Sequence, residues 1–146
     1  MIRVQRTMLV RRPLDEAITF LEDFARTEQW DPATVSCLRL DSGPVRPGSS
    51  WRNTSRFRGR TTELTYRLSV RDADRLVFVG ENRTVVARDD LHFVHGADGT
   101  TRLSYRATFR FKGVARLVAF LLRKDVERLA DDVAAALPRV LDAEVS

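Results

Sequence analysis

Cysteine is almost absent from this 146-residue chain, and lysine nearly so. The single cysteine, Cys37, rules out an intramolecular disulfide and a cysteine-rich zinc site. Its expected role is that of a small buried apolar residue. There are only two histidines, His92 and His95. No nucleophile elbow, phosphate-binding loop or HExxH motif occurs. No cofactor and no metal are therefore expected. The longest apolar run, LVAFLL from Leu117 to Leu122, is far shorter than the roughly 20 residues a spanning helix needs. No membrane insertion is expected. The opening MIRVQRTMLVRR lacks the apolar core of a signal peptide, which points to a cytoplasmic protein.

Acidic charge is in modest deficit. Twenty acidic residues face 25 basic ones, for a net charge of +5. Lys112 and Lys124 are the only lysines, so the positive charge is almost entirely arginine. Arginine used over lysine, beside many Ala, Val and Asp, is what a GC-rich bacterial coding sequence produces. The charges are spread along the chain instead of forming a basic run. Nucleic acid is accordingly not the expected partner. At 43% apolar and 31% charged residues, the composition is that of one folded domain spanning residues 1–146.

What is present is pattern. Ile2 to Arg11 is rich in β-formers and reads as a strand. Pro13, with Asp15 and Glu16 behind it, opens a helix carrying Leu14, Ile18, Leu21 and Phe24. Thr27 to Trp30 adds a second short turn, which Asp31-Pro32 stops. Six strand candidates follow, at Thr34–Asp41, Ser49–Arg58, Thr62–Arg71, Leu76–Gly80, Thr84–His95 and Thr101–Lys112. Glycine- and aspartate-rich turns separate them, among them Ala97-Asp98-Gly99. Strict alternation gives each of the longer strands a dry and a wet face. The stretch from Gly113 to Leu141 then repeats apolar residues at Val118, Leu122, Val126, Leu129, Val133, Leu137 and Val140. That spacing is one face of a long amphipathic helix. Pro138 is expected to kink or end it near Leu137. The fold class is α+β: one strand, two short helices, six strands and a long helix, with an antiparallel sheet curled around that helix.

The stretch TFLEDFARTEQWDPATVSCLRLDSGPVRPGSSW, from Thr19 to Trp51, carries a resemblance. The N-terminal strand, the Phe/Leu/Asp-containing helix, Trp30-Asp31-Pro32, the Pro-Gly turn and Trp51 come in an order that resembles the polyketide cyclase/dehydrase and lipid-transport family. That family is the bacterial branch of the START and birch-pollen-allergen superfamily, SRPBCC, and the resemblance covers essentially the whole chain. It implies the helix-grip fold, a seven-stranded antiparallel sheet around a long C-terminal helix. It also implies an internal cavity for a hydrophobic or amphipathic small molecule. The glycine-rich loop of the plant allergens is missing, so their ligands do not carry over.

On the dry face, Trp51, Asn53, Ser55, Phe57, Tyr66, Phe93, Tyr105 and Phe109 are the candidate ligand-binding residues, with Phe111 beside them. Apolar walls with a few polar groups are what a small-ligand site requires. The alternative for Tyr66 and Tyr105 is core packing with the hydroxyls satisfied elsewhere. Asp89 is the one weak catalytic candidate. If alternation holds, it is an inward carboxylate able to act as acid or base. The plainer expectation is that Asp89-Asp90 marks a bulge or bend and that both are wet. The histidines are expected on the surface. Arg52, Arg56, Arg58, Arg67, Arg71, Arg102, Arg106 and Arg110 are placed on the wet sheet face. Three functions follow: a binder of a lipid or polyketide-like molecule, an aromatase/cyclase or dehydratase using the same cavity, and an interaction module using that basic face.

Overall fold

A computed structural model describes residues 1–143. Strand β1 (Ile2–Val10) leads to α1 (Leu14–Leu21), a 3-10 turn (Phe24–Arg26) and α2 (Thr27–Trp30). Strands β2 (Thr34–Arg39), β3 (Ser50–Phe57), β4 (Arg60–Arg71), β5 (Arg75–Glu81), β6 (Val85–His95) and β7 (Thr101–Phe111) follow. They form one seven-stranded sheet in the order β1-β7-β6-β5-β4-β3-β2, with every neighbouring pair antiparallel. Short connections favour the antiparallel run from β2 to β7, and β1 completes the sheet by pairing with β7. The β3–β4 hairpin turns through Arg58 and Gly59, both at positive φ (55° and 77°), which suits the twist of the flanking strands. At Ala97-Asp98-Gly99, Asp98 and Gly99 also take positive φ, and the Gly96 N–H donates to the Thr100 carbonyl.

The chain then runs through α3 (Ala115–Val118), a 3-10 turn (Ala119–Leu122) and the long helix α4 (Arg123–Ala143). Helix α4 packs chiefly on β1 and α2. Arg6 Nε donates to Asp131 Oδ1 at 2.8 Å, and the Arg11 N–H donates to Asp142 Oδ1 at 2.7 Å, fixing its outer side to β1. Val126, Val133, Leu137 and Leu141 are buried, and Leu129 and Val140 half-buried, as the helical spacing requires.

Three expectations need correction. The apolar helix face does not reach back to Val118, which is 52% exposed at a break between short turns. From Val114 to Leu122 apolar residues occupy every side, so the periodicity there defines no single face. Pro138 does not end the helix, which continues to Ala143. The fully buried Leu137 and Leu141 on either side outweigh one lost backbone bond. Finally, Val70 and Arg71 exchange faces relative to the simple alternation. The ladder shifts between Leu68 and Val70, so Val70 sits opposite Val77 and Arg71 opposite the inward Leu76. A bulge of one residue has this effect. It delivers Arg71 to Glu22, at 2.8 Å, instead of to the wet face.

Candidate functional site

The concave face of the sheet and α4 enclose a cavity of about 280 Å³. Its walls come from alternation. Asn53, Ser55 and Phe57 of β3, Leu64 and Tyr66 of β4, Val85 and Asp89 of β6, and Tyr105, Ala107, Phe109 and Phe111 of β7 all face it. Helix α4 contributes Val126, Leu129, Ala130 and Val133, and Leu122 stands just before it.

Of the eight residues put forward for ligand contact, six line this space: Asn53, Ser55, Phe57, Tyr66, Tyr105 and Phe109. Trp51 and Phe93 do not. Both are fully buried beyond the cavity wall. Trp51 belongs to an aromatic cluster around Phe24, whose ring centroid lies 4.4 Å from Tyr66, 4.5 Å from Phe78 and 6.1 Å from Trp51. Its Nε1 donates to Asp23 Oδ1 at 3.1 Å. Sharing a strand face with the cavity residues is not enough to reach the cavity, because the 3-10 turn with Phe24 fills that end. Phe93 keeps the alternation of β6 and is core instead: β6 is contacted by α1, and Phe93 is only 1% exposed.

The polar groups on the wall form a chain. Ser55 Oγ donates to Asn53 Oδ1 at 2.6 Å. Asn53 Nδ2 donates to Thr27 Oγ1 at 3.3 Å and to Thr34 Oγ1 at 3.2 Å. Thr34 Oγ1 donates in turn to Asp31 Oδ2 at 2.9 Å, and the Ala33 N–H donates to Asp31 Oδ1 at 3.0 Å. Asn53 is thus held by protein partners in three directions.

Asp89 is not in a bulge. Strand β6 keeps register with both neighbours through Asp89 and Asp90, so the two carboxylates point to opposite faces. Asp90 lies outside, paired with Arg75 at 2.7 Å, which holds its carboxyl below the ordinary range. Asp89 is buried at the cavity wall, and its pKa is pushed up to about 8, first by burial and then by the nearby charge of Asp31. No hydrogen bond to its charged form offsets this. The wet reading of Asp89 is therefore wrong, and the inward one right.

Asp31 was missed. It lines the cavity, and burial raises its pKa against the opposing hydrogen bonds from Thr34 and Ala33. In the sequence it marks only a helix stop before Pro32. No periodicity marks a residue in such a connection. Tyr66 and Tyr105 complete the group. Both phenols are buried, and their pKa values are raised well above the usual value, by burial first and by Asp89 second. The cavity thus presents two phenol O–H groups and two carboxyls, Asp31 and Asp89, whose protonated forms burial favours.

Outside the cavity the remaining expectations divide. His92 and His95 are exposed. Cys37 is buried, and its thiol pKa is raised, chiefly by burial, so it is an unreactive core residue. Among the described residues, no cluster of metal-ligating side chains occurs and no helix is long and apolar enough to cross a membrane. The basic outer face is partly neutralised: Arg52 pairs with Glu63 at 3.1 Å. Arg56 lines the cavity mouth, and Arg58 turns toward Asp125 of α4.

The family model described as polyketide cyclase/dehydrase and lipid transport matches residues 1–142. Among solved structures, the Zhui aromatase/cyclase from a Streptomyces species is similar, with a TM-score of 0.80 and 17% identity, over 99% of this chain and 95% of that one. The protein TTHA0849 from Thermus thermophilus has a TM-score of 0.82 and 14% identity, over 99% of both chains. A START superfamily protein from Mycobacterium smegmatis has a TM-score of 0.73 and 16% identity, over 98% of this chain and 96% of that one. At these identities the likeness is one of fold. Among curated proteins, none matches in sequence.

Proposed function

The chain belongs to the polyketide cyclase/dehydrase and lipid transport family, and on that footing we propose that it binds a hydrophobic or amphipathic small molecule, lipid or polyketide-like, between the curved sheet and α4. The observation that carries this reading is the cavity itself, whose walls are mostly Leu, Val, Ala and Phe side chains. A volume of about 280 Å³ lies just below the range of about 300–1,000 Å³ usual for ligand pockets. It fits one compact molecule or part of a longer chain reaching through the mouth. Asn53, Ser55, Phe57, Tyr66, Tyr105 and Phe109 are the proposed contacts. The protonated Asp89 and the two phenols are hydrogen-bond donors, so the favoured ligand is a neutral molecule with a carbonyl or hydroxyl on an apolar frame. The test is titration with the neutral dye Nile red. Saturable fluorescence enhancement supports the reading, and its absence contradicts it.

One observation favours a second reading, an aromatase/cyclase or dehydratase. A buried carboxyl that stays protonated near neutral pH beside two phenols can donate to a carbonyl or a departing hydroxyl. The aromatase/cyclase named above shares this fold. A purified enzyme that turns over a reduced polyketide analogue, and stops when Asp89 is replaced by Asn, would establish that reading.

A further inference from the structure

Among the described residues, most of the large apolar side chains between β7 and α4 are left uncovered, while Ala119 and Leu122 turn inward. Val114, Leu117, Val118, Phe120 and Leu121 are between 52% and 83% exposed. They fall within eight consecutive positions of the chain, 114 to 121. A protein surface rarely leaves that much aliphatic and aromatic side chain together in water.

The charge around this patch is one-sided. From Phe111 to Lys124 there is no acidic residue, while Lys112, Arg116, Arg123 and Lys124 are basic, with Arg110 just before. The neighbouring turns add more. Arg58 and its turn approach the start of α4 through Asp125, and the β5–β6 turn, which carries Arg83, is joined to Lys112 through the Asn82 carbonyl. Three acids at this end are paired, Glu81 with Lys112, Glu63 with Arg52 and Asp125 with Arg58, and among the described residues Arg83, Arg116, Arg123 and Lys124 have no ion-pair partner. The cavity also reaches this end, where Phe57, Asn82, Thr84, Phe111 and Leu122 line it.

We infer that Val114–Leu122 and its basic rim dock the protein on an anionic lipid bilayer, seating the mouth of the cavity on the membrane surface. Apolar side chains on short turns enter the headgroup boundary, and the surrounding Arg and Lys meet anionic headgroups. The apolar run from Leu117 to Leu122 is too short to span the bilayer, so the contact is peripheral and reversible. Positive charge alone would fit any polyanion. Exposed apolar side chains inside the positive rim fit a surface that is both anionic and greasy. The inference does not depend on what occupies the cavity.

The test is co-sedimentation of the intact protein with vesicles of phosphatidylcholine alone or mixed with phosphatidylglycerol, at low and high salt. Binding to the mixed vesicles, weakened by salt, is expected. The Phe120→Ser/Leu121→Ser variant should lose about a hundredfold in partitioning, since each of the two buried apolar side chains contributes about a tenfold factor or more. Arg116→Glu/Lys124→Glu should lose several-fold per charge on mixed vesicles only. These four residues are exposed, so the circular dichroism and melting of both variants should match the parent. The inference fails if the parent stays with the supernatant on mixed vesicles, or if both variants bind as well as the parent. It also fails if sedimentation shows a dimer that Phe120→Ser/Leu121→Ser dissociates and that ignores vesicles, because a second copy would then be the occupant.

Discussion

The hydroxyl end of the Tyr66 ring lies over the backbone of Gly80, its partner across the β4–β5 ladder. A Cβ on Gly80 would stand 2.6 Å from Cε1 and Cζ of the ring. On the other side of Gly80 the partner is Ala87, also small. Two small residues in adjacent strands therefore leave the space that holds Tyr66 at the cavity wall.

Gly80→Ala should destabilise the fold by about 1–3 kcal/mol, the usual range for overpacking. Replacing Tyr66 with Leu in the same chain should restore much of that loss. Thermal melts of the two single variants and the double variant measure the coupling. Additive effects would show that the contact does not constrain the ring.

Asp89 predicts a particular pH dependence. Its pKa is about 8 in the folded protein against an ordinary value of 3.8. The folded state therefore keeps a proton that the unfolded chain has already released. The stabilisation associated with this proton is full below about pH 4, falls as the pH rises toward about 8, and is then level. Asp89→Asn removes that fall. The melting temperature of the variant relative to the parent should climb between about pH 4 and pH 8 and stay constant above. A flat difference would mean that Asp89 is solvated and ionised in the folded protein.

Core and cavity residues should separate by their readouts. Trp51→Ala removes a fully buried side chain and should cost about 3–5 kcal/mol. The molecules that remain folded should bind Nile red as the parent does. Phe109→Ala trims a half-buried cavity residue and should change dye affinity more than melting temperature. A Trp51 variant of ordinary stability and lost dye binding would return Trp51 to the site.

Most of the fold and part of the site are legible in the sequence for one physical reason. In β3, β4, β6 and β7 the side-chain period is two, so each inward residue follows from its neighbours; Asn53, Tyr66, Asp89 and Tyr105 are placed this way. The failures lie where that period breaks or says nothing. The bulge before Val70 reverses a face without leaving a composition signal. Asp31 sits in a connection and reaches the cavity only through the packing of α2. Trp51 and Phe93 share a face with true lining residues but are packed in the core beyond the cavity, Trp51 within the aromatic cluster. From Val114 to Leu122 local hydrophobicity resembles the helix it precedes, and only tertiary structure shows it uncovered.

Asn53 joins Ser55, Thr27 and Thr34 in one chain of hydrogen bonds. Asn53→Ala should cost about 1–3 kcal/mol, because buried hydroxyls lose their partners. Ser55→Ala should cost less, since it removes only the end of the chain. Chemical denaturation of both variants checks the order, and equal costs would contradict the network as drawn.

The central claim is that the space between sheet and α4 holds a small apolar molecule. The most direct measurement is mass spectrometry of what denaturation releases from natively purified protein, with Ala107→Phe prepared in parallel. Ala107 lines the cavity, and a phenyl ring there occupies part of its volume. The account predicts an apolar molecule from the parent in near-stoichiometric amount and little or none from the folded variant, with saturable Nile red binding lost in the same variant. Equal release from both proteins, or no released molecule together with no dye binding by the parent, would contradict it.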